Sequence, residues 1–146
     1  IFREAIHHLG RNKRKHNISM HLEDDLLMAN MDARLIIQVL VNLINNAIKY
    51  TPENSNISLN ARRVEDKILI EVQDDGNGVL HPDQLFEMFY TENNRGGDTR
   101  RGMGLGLSLC KSIIQSHGGT IWVENVTPHG ACFKFVLDAV EVKLYE

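Results

Sequence analysis

Apolar positions fall at two different spacings along the chain, and the two spacings separate its helices from its strands. Leu35, Ile36, Val39, Leu40, Leu43, Ile44 and Ala47 recur every three or four residues, which predicts one long helix over Asp32–Thr51. Asp32 supplies an N-cap, and Pro52 ends the run because the residue before proline avoids the helical region. This helix is apolar around most of its circumference, so it is expected to be buried on several sides. A second helix is predicted from Leu107, Leu109, Cys110, Ile113 and Ile114, closed by Gly118-Gly119. Residues 1–15 also read as helical, with Phe2, Ile6 and Leu9 on one side. They are expected to form the tail of a preceding helix or a linker, leaving 16–146 as the domain proper.

Strict alternation marks the strands. Ile18, Met20 and Leu22 form one; Ile57, Leu59 and Ala61 form another, and Ile68, Ile70 and Val72 form its hairpin partner. Ile121, Val123 and Val126, then Phe133, Phe135 and Leu137, complete the set. Pro82 to Phe89 reads as a short helix start with an aromatic cluster of Phe86, Phe89 and Tyr90. Thr91 to Gly102 is polar and glycine-rich, the composition of a mobile surface loop. Helices and hairpin strands are segregated along the chain, so the expected fold is α+β: a two-layer sandwich with a mostly antiparallel sheet.

Composition adds limits. At 146 residues with 42% apolar and 24% charged residues, the chain suits one soluble domain. A net charge of −3 points away from nucleic acid and anionic lipid as general partners. No apolar run reaches membrane-spanning length, so no membrane contact by this fragment is expected. Cys110 and Cys132 read as reduced core residues of a cytosolic protein. None of the seven histidines pairs with other ligands at a convincing metal spacing.

Candidate chemistry begins on the long helix. Gln38, Asn42, Asn45, Asn46 and Lys49 form a polar stripe on an otherwise greasy surface. Amides buried without partners cost about 1–3 kcal/mol each, so this stripe needs something polar to face. Oxygen ligands suit magnesium, which keeps waters and joins substrate phosphates. Asp74-x-Gly76-x-Gly78 follows a strand. Its glycines let the backbone approach a flat ligand, and Asp74 is placed to accept from an exocyclic amine. Gly102-x-Gly104-x-Gly106 opens a helix and suits a phosphate cradle. It is neither a dinucleotide fingerprint, which would need glycine at Leu107, nor a Walker A loop, which would need glycine at Leu105 and Cys110.

The order of these motifs resembles the GHKL group of ATP-binding domains, and within it the catalytic ATP-binding domain of bacterial sensor histidine kinases. The resemblance covers almost the entire chain. Asn42–Tyr50 resembles the N box, Asp74–Gly78 the G1 box, Leu85–Tyr90 the F box and Gly102–Leu107 the G2 box. The phrases NAIKYTPENS and HGGTIWVEN are similar to the potassium-responsive Kdp sensor kinases. The implied fold is the Bergerat α/β sandwich with a mobile ATP lid.

The resemblance also implies roles. Asn46 ligates magnesium with Asn42 one turn earlier, Lys49 contacts phosphate, and Tyr50 packs on the adenine side. Asp74 recognises the adenine amino group in a pocket shaped by Gly76 and Gly78. Arg100, with Arg101 as the adjacent alternative, reaches the terminal phosphates. Gly102, Gly104, Leu105, Gly106 and Leu107 close over the triphosphate, and Phe86 and Phe89 anchor the lid. The family often carries threonine just before the aromatic of its last strand. Cys132 stands there as a poor hydrogen-bonding substitute, so a weaker hold on adenine is expected.

Related ATPases place a glutamate one turn before the metal-binding asparagine as the base for water. Asn42 occupies that position and takes no proton, so ATP is expected to await a histidine nucleophile. No histidine in the chain has the acidic residue and proline that follow the family's acceptor. The implied partner is therefore a separate dimerisation and phosphoacceptor domain of the full-length kinase, and indirectly a response regulator. The implied setting is the cytoplasmic part of a membrane-anchored sensor kinase. Rival readings are a GHKL-type ATPase and a degenerate nucleotide-binding docking module.

Overall fold

A helix of 17 residues, α2 (Ala33–Lys49), lies along one face of the sheet and carries Ile36, Val39, Leu40, Leu43 and Ile44 fully buried. Asp32 caps it, its carboxylate accepting from the N–H groups of Arg34 at 3.0 Å and Leu35 at 3.4 Å. The structure is a computed structural model describing residues 1–10, 15–23, 29–88, 90 and 106–140. Around α2 stand α1 (Phe2–His8), α3 (Gly106–Ser116) and strands β1 (Asn17–Leu22), β2 (Asn56–Val64), β3 (Lys67–Asp74), β4 (Thr120–Asn125) and β5 (Ala131–Asp138). The five strands form one sheet in the order β1-β2-β3-β5-β4.

The sheet is mostly antiparallel, as the segregated pattern predicts. The exception is β1, which runs parallel to β2. A parallel pair needs a long crossover, and α2 provides it. One face of the sheet presents Ile57, Leu59, Ile70, Val72, Phe133 and Phe135 to the helices. Phe2, Ala5 and Leu9 join the same core through α1. The opposite face is charged: Lys134 bridges Glu124 at 2.8 Å and Glu71 at 3.8 Å, with Arg62 at 3.7 Å from Glu71.

α3 ends as its paired glycines predict. Gly118, at φ +74°, and Gly119 donate to the carbonyls of Gln115 and Ile114, both at 3.0 Å, closing a Schellman motif. One expectation needs correction. Residues 82–88 form no helix but consecutive turns, with Gln84 N–H donating to His81 and Glu87 N–H to Gln84. The β1 alternation is real, yet Met20 is 39% and Leu22 54% exposed. β1 is an edge strand, and both side chains border an open groove of about 520 Å³ shared with Phe2 and Met31.

Candidate functional site

The C-terminal turn of α2 meets the loop that leaves β3, and this junction holds most of the described candidate residues. Thr51 anchors it, its hydroxyl donating to the Ala47 carbonyl at 2.7 Å and bonded to His16 Nε2 at 2.9 Å. The carbonyl of Tyr50 and the methyl of Thr51 lie against Gly76. A Cβ at Gly76 would stand 2.8 Å from that methyl, so only glycine fits. Lys49 places its ammonium over the Tyr50 ring, 5.0 Å from the centroid.

Asp74 closes β3 and is 2% exposed. Its Oδ1 accepts from the backbone N–H groups of Gly76 at 3.0 Å and Ala131 at 3.2 Å. The carboxylate is thereby fixed to its own loop and to β5. Asp75 is held from the other side, where Asn56 donates through its backbone and side-chain N–H groups, both at 3.1 Å.

On α2, Asn42 and Asn46 stand one turn apart on the polar stripe, but their amides differ in partners. The Asn42 amide lies beside the Cys110 thiol of α3 and opposes the burial that pushes that thiol up to about 12, while the thiol itself donates to the Val39 carbonyl at 3.8 Å. Asn46 Oδ1 is buried without a hydrogen-bond partner among the described residues. An oxygen left so costs about 1–3 kcal/mol unless an electropositive group meets it. That vacant acceptor fits a hard cation such as magnesium.

Cys132 does not belong to this site. It pairs in register with Gln73, whereas Asp74 pairs with Ala131. Side chains alternate across a strand, so Cys132 projects to the charged face of the sheet and Asp74 to the helical face. The thiol lies 3.4 Å from Glu71. The expected weakening of the adenine contact through Cys132 is therefore overturned, and the position facing Asp74 is Ala131.

Phe86 lies in the core, edge to face with Phe133 at 6.1 Å. Gly106 and Leu107 begin α3. Phe89, Arg100, Arg101, Gly102, Gly104 and Leu105 lie outside the described residues, as does the expected lid loop at 91–102. Residues that pattern reading missed include Thr51, Asn56, Asn125 and His129, each of which holds a loop by hydrogen bonds to the backbone or to a neighbouring side chain. Polar residues at strand ends are too common for sequence alone to single these out.

Residues 31–141 match the family of histidine kinase-, DNA gyrase B-, and HSP90-like ATPases. The chain belongs to that family. Within it, the chain is 36% identical over 137 residues to the sensor protein KdpD of Clostridium acetobutylicum, covering 92% of this chain and 15% of that protein. The catalytic domain of histidine kinase ThkA has the same fold, with a TM-score of 0.78 and 30% identity over 93% of this chain and 90% of that one. ThkA in complex with the response regulator protein TrrA matches at 28% identity and a TM-score of 0.78, over 95% of this chain and 39% of that one. These likenesses identify a histidine-kinase catalytic domain with the ATP-binding fold. No helix among the described residues is long and apolar enough to cross a membrane.

Proposed function

We propose that this histidine-kinase domain binds magnesium-ATP at the junction of α2 with the Asp74–Gly78 loop, and passes the γ-phosphate to a histidine on a separate dimerisation domain. The observation that carries the site assignment is the orphaned, buried Asn46 Oδ1 beside a loop already built around Asp74. Asn46 holds the metal, and Asn42 supports the same stripe while contacting α3. Magnesium, when bound, neutralises phosphate charge. Lys49 adds a cation at the same end of α2, and Asp74 accepts from the adenine amine between Gly76 and Gly78. Arg100, Gly102, Gly104, Leu105, Gly106 and Leu107 complete the phosphate side.

Phosphoryl transfer requires mainly positioning and charge neutralisation. An amide at Asn42 offers no base for water, which favours a kinase over an ATP-hydrolysing machine. Cys132 lies on the opposite face of the sheet beside Glu71, so it leaves the nucleotide side of Asp74 untouched. Residues 1–15 are proposed as the tail of a preceding helix or a linker, with Phe2 and Leu9 packed on the core, and 16–146 as the catalytic domain. A response regulator is the proposed final acceptor. The proposed setting is the cytoplasmic part of a membrane-anchored sensor kinase.

Calorimetric titration with ATP, with and without magnesium, tests the site. Binding is expected in the parent chain, lost in Asp74→Asn and insensitive to magnesium in Asn46→Ala. Mixing the chain with a phosphoacceptor domain and labelled ATP tests the reaction. Acid-labile phosphohistidine is expected, and acid-stable phosphoserine alone would refute it.

A further inference from the structure

The side chain of Asn125, at the end of β4, grips the backbone of Val79 with both ends of its amide. Oδ1 accepts from the Val79 N–H at 2.7 Å, and Nδ2 donates to the Val79 carbonyl at 2.9 Å. The pair imitates one rung of an antiparallel ladder, although Val79 lies in a loop and Asn125 contributes no backbone to the rung. Beneath this grip Gly78 runs at φ +83°, and a Cβ there would stand 2.7 Å from Asn125 Oδ1. The amide is thus packed onto the glycine as well as bonded to the residue after it.

The turn from β4 to β5 holds the same loop at further points. His129 Nδ1 donates to the Asp75 carbonyl at 2.8 Å, and Ala131 N–H donates to Asp74 Oδ1 at 3.2 Å. From β2, Asn56 holds the Asp75 carboxylate. Those contacts fix the start of the loop, at Asp74 and Asp75. Asn125 fixes its far end, beyond both glycines.

We propose that Asn125 is a positioning residue for nucleotide recognition: its amide holds the Gly76–Val79 loop in the shape that receives the base before nucleotide arrives. The proposal rests on the assignment of ATP to this site. A loop already ordered loses little freedom when ligand binds, so a missing clamp reappears as weaker affinity. Because the clamp acts on the base side, its loss weakens ATP and ADP alike. It also erodes discrimination between adenine and guanine nucleotides, which a general loss of stability does not do.

The test titrates ATP, ADP and GTP into the parent chain, Asn125→Ala, Asn125→Asp and His117→Ala. Failure of the parent to bind ATP would sink the site assignment itself, independently of Asn125. In a parent that binds, Asn125→Ala is expected to weaken ATP and ADP about tenfold each, as the loss of two hydrogen bonds implies, and to narrow the ATP-to-GTP preference. Asn125→Asp keeps the shape but sets an oxygen against the Val79 carbonyl, so a similar loss is expected. His117→Ala lowers stability away from the loop and is expected to keep parental affinity. Parental affinity and preference in Asn125→Ala would overturn the proposal. So would a Val79 amide that exchanges with solvent in the nucleotide-free parent as fast as an unbonded amide, a readout that needs no variant to fold.

Discussion

His117, at the end of α3, accepts the backbone N–H of Asp32 through Nε2 at 3.0 Å, joining that helix to the N-cap of α2. Its Nδ1 lies 2.8 Å from the Ile113 carbonyl. A carbonyl only accepts and an amide N–H only donates, so Nδ1 donates and Nε2 accepts. One side chain thus ties together the helix that bears the polar stripe and the helix that follows the G2 glycines. His117→Ala is expected to cost about 1 kcal/mol, a fall of about 3 °C in melting temperature for a domain of this size. A thermal melt against the parent checks it, and an unchanged midpoint would show that the link carries no stability.

Cys132 faces Glu71 on the charged side of the sheet, away from Asp74. Cys132→Ser is therefore expected to leave nucleotide affinity at the parental value. Ala131→Leu, which enlarges the side chain opposite Asp74 at a fully buried position, is expected to weaken it tenfold or more. Overpacking such a site costs about 1–3 kcal/mol. Calorimetry on the two variants separates the faces, and a large loss in Cys132→Ser would contradict the register.

How far the sequence was legible depended on whether an element's signal was local. Asp32, the apolar spacing of α2 and Pro52 sit within one helix, and the structure has that helix from Ala33 to Lys49. The strands β2, β3 and β5 were equally readable, because each buries one alternating face. By contrast, alternation in β1 says nothing of its place at the sheet edge, where Met20 and Leu22 are exposed. Pro82 to Phe89 carried helix-starting residues without enough following contacts to continue them. Cys132 was misplaced by one residue in its facing, and a shift of one in a strand exchanges the faces of the sheet. In the site, Asp74, Gly76 and Gly78 stood out as a motif, whereas Asn125 gains its meaning only from Val79, 46 residues away.

Both thiols are held far from ionisation. Burial pushes Cys110 from the ordinary 9.0 up to about 12, and burial together with Glu71 does the same for Cys132. Between those values the folded chain keeps protons that the unfolded chain has released, so stability falls as pH rises. It is expected to be fully present below about 9 and to decline toward 12. Lys134 is also raised, chiefly by its bond to Glu124, and adds to the decline above its ordinary 10.5. Urea midpoints measured at increasing pH check the slope, which is expected to be shallower in Cys110→Ala. Alkylation by iodoacetamide near neutral pH is expected only after denaturation, and rapid labelling of the folded chain would refute the assignment.

Gly78 and Asn125 are expected to be energetically coupled. Alanine at 78 must adopt φ +83°, and a left-handed conformation costs a non-glycine residue about 1–2 kcal/mol. Its Cβ also meets Asn125 Oδ1 at 2.7 Å and the Gly130 carbonyl at 3.2 Å. The first contact displaces the amide from Val79, so Gly78→Ala alone incurs both the backbone strain and loss of the clamp. In an Asn125→Ala background the nearest obstacle and the clamp are already gone, leaving mainly the strain. The double variant is therefore expected to be more stable than the sum of the single effects predicts, by about 1 kcal/mol. Denaturant unfolding of the four chains measures this coupling. Strict additivity would mean that the loop accommodates the methyl without moving Asn125.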